Sequence, residues 1–270
     1  MSVSSPVRPF LKWAGGKGQL LEQLQPLLPQ NYSRYLEPMV GGGALFFYLQ
    51  PAYAILADLN DELINVYRVV RDNVEELIAD LRRHRNTREY YYAIRDTDPA
   101  RLPPVARASR FIYLNRTCYN GLYRVNRLNK FNVPFGRYKN PDIVNAAGLR
   151  AASGALQAAD LRIGDFSLVL EYARPGDFIY FDPPYQPLNR TSRFTSYTAG
   201  NFGEGEQKRL ARVFRELTRR GCLVMLSNSD TPLIRELYRD FRIETVHARR
   251  AINSRPDRRG SITELVILNY

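Results

Sequence analysis

Four consecutive residues, Asp182-Pro183-Pro184-Tyr185, hold the clearest chemistry in this 270-residue chain. They follow Asp177-Phe-Ile-Tyr-Phe181, whose β-branched and aromatic residues read as a buried strand that two prolines forbid to continue. An acid therefore stands at a strand's carboxyl end, the edge at which open α/β sheets bind ligands. A carboxylate, a carbonyl held by proline and the Tyr185 ring together suit a planar amine, with two acceptors for its hydrogens and a face for stacking. The bland alternative is a strand-ending turn with a solvated aspartate, so the motif has to be weighed against the rest of the chain.

Nearer the N-terminus, Tyr35-Leu-Glu-Pro-Met-Val40 reads as a strand running into Gly41-Gly42-Gly43. Ala44–Leu49 follows as a helix, and Tyr53-Ala-Ile-Leu-Ala57 as a second strand ending at Asp58. This succession is the first half of a nucleotide-binding α/β unit, with Asp58 placed to accept hydrogen bonds from ribose hydroxyls. The glycine turn is weaker than G-x-G-x-x-G. Turn and acid together point to an adenosine-containing cofactor without saying which. A nicotinamide dehydrogenase fits these residues too, but needs neither Asp-Pro-Pro-Tyr nor a basic insert. Phe10-Leu-Lys-Trp-Ala-Gly-Gly-Lys17 could offer backbone N–H groups and the Lys17 charge to an anion. It lacks Walker A spacing, and a plain N-terminal turn is the alternative. For Trp13, the only tryptophan, core packing is the default.

The chain carries 39 Lys and Arg against 27 Asp and Glu, a net charge of +12 that favours a polyanionic partner, nucleic acid foremost. From Arg101 to Asn140 there are nine Lys or Arg, no acid, and seven Phe or Tyr. Cations interleaved with aromatics suit phosphate contact and base stacking, whereas a solvated protein face mixes both signs. Within this stretch Tyr119-Asn-Gly-Leu-Tyr-Arg124 is either a tight Asn-Gly turn or a groove-reading loop. Asn120 suits adenine, Arg124 suits guanine, and Leu122 can wedge between bases.

Cys118 and Cys222 lie far apart, and His84 and His247 lack ligand spacing, so a metal site or a catalytic cysteine is not expected. No apolar run is long enough to span a bilayer, and Met1-Ser-Val-Ser-Ser-Pro has no hydrophobic signal core. The expectation is a cytoplasmic protein, associated with the nucleoid through DNA.

The expected fold is an α/β sheet domain formed by residues 1–60 and 153–270, with a mainly helical domain inserted at 61–152. The spacing predicts a helix over Gln19–Leu28, an Asn60 cap, and one apolar stripe from Leu63 to Leu81. Strand signals then stop until Asp177–Phe181 and recur at Leu223–Leu226, Ile243–Val246 and Glu264–Leu268. The last two read as an antiparallel hairpin around a basic loop at Arg249–Gly260. Helices are expected at Gly205–Leu217 and Pro232–Tyr238.

FLKWAGGK (10–17), EPMVGGG (37–43), ILADLN (55–60), YLNRTCYNGLYR (113–124), KFNVPFGRYK (130–139), DPPY (182–185) and FTSYTAGNF (194–202) occur here in one order. In that set the chain resembles the DNA adenine-N6 methyltransferases of the Dam type, the D12 class, over nearly its whole length. Met39 stands where the family often has Phe, an apolar exchange. The resemblance implies a Rossmann-like methyltransferase fold, S-adenosylmethionine as cofactor with S-adenosylhomocysteine as product, no metal, and duplex DNA as partner. It also implies a monomer, with a cognate restriction endonuclease as an optional partner. By motif position Trp13 and Lys17 would contact the cofactor, Glu37 and Gly41–Gly43 would line its pocket, and Asp58 would bind the ribose. Asp182 would lie between cofactor and base, with Pro183, Pro184 and Tyr185 completing the catalytic turn.

The segments 119–124 and 132–137 look like the readout segments of GATC-specific members. Tyr119, Asn120, Leu122, Arg124, Asn132, Pro134 and Arg137 would therefore meet bases, and Arg116 a phosphate. Cytosine-N4 methylation is the nearest rival, although those enzymes more often have Ser at position 182. A DNA-binding relative without catalysis is the rival from another class.

Overall fold

The computed structural model describes residues 7–13, 15–126, 128, 130–187, 202–249 and 261–270. The strands are β1 (Tyr35–Glu37), β2 (Ala54–Asp58), β3 (Ala159–Ile163), β4 (Phe178–Phe181), β5 (Leu223–Ser229), β6 (Arg242–Arg249) and β7 (Ser261–Leu268). They form one sheet in the order β3-β2-β1-β4-β5-β7-β6, with β7 antiparallel to both β5 and β6 and the remaining pairs parallel. The fold is Rossmann-like, as the motif order implies, and the C-terminal hairpin adds a twist: its second strand inserts between β5 and its first.

Alternation along the strands feeds two separate cores. Tyr35, Leu56, Phe178 and Tyr180 point to one face and Leu36, Ile55, Ile179 and Phe181 to the other. With both faces buried, each central strand reads as an unbroken apolar run. The helices are α1 (Leu21–Leu24), α2 (Ala44–Leu49), α3 (Asp61–Asp72), α4 (Val74–Leu81), α5 (Arg88–Asp96), α6 (Pro104–Thr117), α7 (Ala146–Leu156), α8 (Val169–Tyr172), α9 (Glu204–Arg219) and α10 (Pro232–Leu237). The first core continues through α3 and α4 into α6 and α7, and the second lies under α8, α9 and α10. A third, small cluster of Tyr91, Tyr113, Leu114, Cys118 and Val133 supports residues 118–135.

Three expectations need correction. The helix predicted over Gln19–Leu28 breaks into 3-10 turns at Lys17–Gln19 and Gln25–Leu27 around α1, because Pro26 supplies no N–H to continue it. The single stripe from Leu63 to Leu81 is two helices meeting at Asn73, which leaves helical geometry (φ −133°). The Asn60 cap forms as expected, accepting from the Leu63 N–H at 3.2 Å. Strand β3 lies where no strand was expected. Its Asp160 and Arg162 break the apolar pattern, which a sheet edge tolerates, and they pair with each other at 2.6 Å.

Candidate functional site

Just past the carboxyl end of β4, Asp182 meets Lys17. The 3-10 turn after Gly15-Gly16 carries this residue inward until it is only 3% exposed. Its ammonium lies 2.7 Å from Asp182 Oδ1, donates to the Gly15 carbonyl at 2.7 Å, and sits 4.8 Å from the Tyr185 ring centre. Burial pushes the Asp182 carboxyl above its usual range, and the Lys17 charge opposes that rise. Two motifs more than 160 residues apart in sequence thus supply one ion pair.

Glu37 ends β1 fully buried and accepts the Tyr35 hydroxyl at 2.9 Å. Burial drives its carboxyl well above the ordinary range, against the Tyr35 hydrogen bond. Asp58 ends β2 and takes the Gly41 N–H on Oδ2 (3.1 Å) and the Asn60 N–H on Oδ1 (2.9 Å). Burial raises its carboxyl also. Gly41 has φ +48°, and a Cβ there would come within 2.6 Å of Trp13 Nε1, so the turn and the indole require each other. Trp13 also stacks on Tyr123 (5.7 Å), which stacks on Phe111 of α6 (5.0 Å). The lone tryptophan therefore joins the glycine turn to the segment read as DNA-facing.

The Asp-Pro-Pro-Tyr turn is braced by residues that sequence reasoning missed. Gln207 of α9 donates to the Pro184 carbonyl at 3.0 Å and accepts from Asn228 at 3.0 Å. Asn228 Oδ1 accepts the Gln186 N–H at 3.2 Å, and the Ser229 hydroxyl donates to the Gln186 carbonyl at 2.6 Å. Tyr185 donates its hydroxyl to Glu264 at 2.7 Å. A signal was present in each strand: Ser-Asn-Ser ends the apolar β5, and Glu264 stands directly before the apolar run Leu265–Leu268 of β7.

The carboxyl-rich set Glu37, Asp58, Asp182 and Glu264 with one buried lysine is unusual in a chain of net charge +12. Such acceptors fit a ligand with hydroxyl donors and a positive centre, the chemistry of S-adenosylmethionine. Asp165 and Phe166, just past the end of β3, extend the same edge. Asp165 pairs with Arg209 at 2.6 Å, which holds its carboxyl at about 2.

A second group of residues lies along 115–137. Asn115 accepts the Lys12 N–H (2.9 Å) and donates to the carbonyls of Lys12 (2.7 Å) and Gly121 (3.2 Å), tying the N-terminal segment to the Asn-Gly turn. That turn is a 3-10 turn at Tyr119–Gly121, with Asn120 at φ +55° and exposed. Residues 118–135 fold back through bridges Cys118–Phe135 and Val125–Phe131. The Pro134 carbonyl accepts the Tyr119 N–H at 2.8 Å, and Asn132 Oδ1 accepts Arg124 Nε at 2.8 Å. Arg124, Pro134 and Arg137 are exposed, whereas Leu122 is half-buried against the third cluster. Arg116 is half-buried and donates to the Phe10 carbonyl at 2.6 Å. Nearly all of the FTSYTAGNF stretch and of the basic loop at 249–260 lies outside the described residues.

The profile of the D12 class N6 adenine-specific DNA methyltransferases matches residues 13–252. This chain belongs to that family. It is 47% identical over 272 residues to the type II methyltransferase M1.LlaDCHI of Lactococcus lactis subsp. cremoris, covering 98% of this chain and 96% of the relative. It is 45% identical to the type II methyltransferase M.MjaIII of Methanocaldococcus jannaschii, covering 98% and 99%. To the DNA adenine methylase of Escherichia coli K12 it is 38% identical, covering 97% and 95%. The buried ion pair is thus part of a DNA methyltransferase.

Proposed function

We propose that this methyltransferase transfers a methyl group from S-adenosylmethionine to the exocyclic N6 of adenine within GATC in duplex DNA. The observation that carries this reading is the buried Lys17–Asp182 pair beside Tyr185. It puts an ionised acceptor and an aromatic face at the sheet edge where Glu37, Asp58 and the Gly41 turn offer a cofactor pocket. When bound, S-adenosylmethionine supplies an electrophilic methyl and leaves as S-adenosylhomocysteine.

N6 of a stacked adenine cannot reach such an edge, so the base leaves the duplex at a cost of a few kcal/mol. Asp182 accepts one N6 hydrogen and the Pro183 carbonyl the other, which turns the nitrogen lone pair toward the methyl. The Pro184 carbonyl is engaged by Gln207 and braces the turn. Tyr185 stacks on the base, and Asp182 takes up the proton that N6 must shed. This chemistry rests on alignment and electrostatics.

Residues 61–152 form the target-recognition part in this reading. Arg124 bonds O6 and N7 of the outer guanine, Asn120 a base edge, and Pro134 a thymine methyl. Tyr119, Leu122, Asn132 and Arg137 complete the contact. DNA from a methylation-free host expressing the protein, digested to nucleosides and analysed by mass spectrometry, should contain N6-methyladenine confined to GATC. N4-methylcytosine, or methylated adenines outside GATC, would overturn the base or the site respectively.

A further inference from the structure

An acid in a central strand, immediately before an unbroken apolar run, needs a reason. Glu264 sits on β7 opposite Ser229 of β5 and Val246 of β6, and Leu265–Leu268 after it are fully buried. Its Oε2 accepts the Tyr185 hydroxyl at 2.7 Å. The backbone around that tyrosine is held independently, by Gln207 at Pro184 and by Asn228 and Ser229 at Gln186. Those bonds fix where Tyr185 leaves the chain but not where its ring points. The Glu264 bond, from a strand flanked on both sides, holds the far end of the ring while the Lys17 ammonium lies 4.8 Å from its centre, and a carboxylate acceptor makes it a strong one.

We propose that Glu264 is a positioning residue, holding the tip of the Tyr185 ring so that the ring points to where the target base stacks. The proposal rests on the adenine-methylation reading above. Neither group needs to exchange a proton with the substrate. Tyr185 is kept as a neutral phenol by burial first and by the neighbouring Asp182 and Glu264 carboxylates next.

The test is single-turnover methylation of duplex DNA with labelled S-adenosylmethionine, run on wild type, Tyr185→Phe, Glu264→Ala, Glu264→Gln and the double variant Tyr185→Phe/Glu264→Ala. Removing either end of the bond should slow transfer about ten-fold, a fraction of what a misplaced reacting group can lose. Because both single changes delete one interaction, the double variant should be no slower than the slower single one. Glu264→Gln retains an acceptor and should recover most of the rate. Losses that multiply in the double variant, or a wild-type rate in Glu264→Ala, would overturn the proposal. Tyr185→Phe keeps the ring and leaves β7 untouched, so it decides the matter alone should Glu264→Ala fail to fold. A ten-fold loss then supports the clamp, and an unchanged rate removes it. Wild type that methylates no adenine would instead sink the underlying reading and this proposal with it.

Discussion

At the ends of β1, β2 and β4 the charged groups are withdrawn from water and already partnered, whereas along residues 119–139 the described cations stand at the surface. Lys17 is 3% exposed and bonded to Asp182, and Asp58 holds two backbone N–H groups. Arg124, Lys130, Arg137 and Lys139 are exposed in a stretch that contains no acid. The difference separates two ways of using charge. A buried pair has lost its water and is pre-set, so it acts through orientation at short range. An exposed cation keeps its water until a phosphate or base edge replaces it, and acts through attraction that salt screens. In the function proposed above, chemistry belongs to the first region and target choice to the second.

The largest expected effect comes from breaking the first region at its centre. Asp182→Ala should lower the single-turnover methylation rate by about 100-fold or more, the scale of losing one preorganised electrostatic group. Binding of a GATC duplex, measured by fluorescence anisotropy, should change far less. Retained activity in this variant would mean that the sheet edge is not where transfer occurs.

Lys17→Met should be the next most severe and should carry a pH signature. Burial raises the Asp182 carboxyl while Lys17 opposes the rise, so removing the ammonium moves the carboxyl further up. Asp182 must be ionised to accept from N6, and activity falls as pH drops through its pKa. The acid limb of the rate profile should therefore lie above the ordinary carboxylate range in wild type and shift to still higher pH in the variant. A limb that stays in place would show that the pair does not govern the ionisation of Asp182.

On the surface side, Arg124→Ala should relax discrimination at the outer guanine by about 1–3 kcal/mol, the usual worth of a bidentate arginine–guanine contact. Cofactor affinity by calorimetry should be unchanged. Asn132→Ala, which removes the acceptor that orients Arg124 through Nε, should give a smaller loss at the same base pair. A uniform loss across all sequences would move Arg124 from readout to phosphate contact.

The two regions were not equally legible. Asp182, Asp58 and the Gly41 turn could be read because strand ends are marked by what stops them, prolines, glycines and acids after an apolar run. The Lys17–Asp182 bond could not, since it is made by the fold across 165 residues, and no local pattern encodes it. Glu264 and Gln207 were missed for a related reason: a lone acid in a strand and a glutamine on a helix look like surface residues until packing turns them inward. Strand β3 escaped because its edge position allows Asp160 and Arg162 to alternate with apolar residues, as they would on a helix or loop. In the basic segment, composition led to the expectation of a nucleic-acid surface, but the fold-back of 118–135 depends on Tyr91, Tyr113 and Val133 beneath it and could not be read.

Arg116 lies on the boundary between the two regions, and its variant is the finest test of the division. As a basic residue in an acid-free stretch it was expected to meet a phosphate. In the fold its guanidinium is half-buried at the end of α6 and holds the Phe10 carbonyl at 2.6 Å, beside the Lys12 and Trp13 segment that leads to Lys17. Burial lowers its basicity, as for a group partly withdrawn from water. A structural tie of this kind is worth about 1–3 kcal/mol, since a charged donor serves a carbonyl. Arg116→Ala should therefore lower the thermal midpoint by a few degrees and slow methylation of every sequence alike, because the segment bearing Lys17 loosens. The slope of log affinity against log salt should stay near that of wild type. A phosphate contact would behave in the opposite way, with the melting point intact and the slope reduced by about one. That second outcome would place Arg116 among the surface cations and shift the line between the two regions into α6.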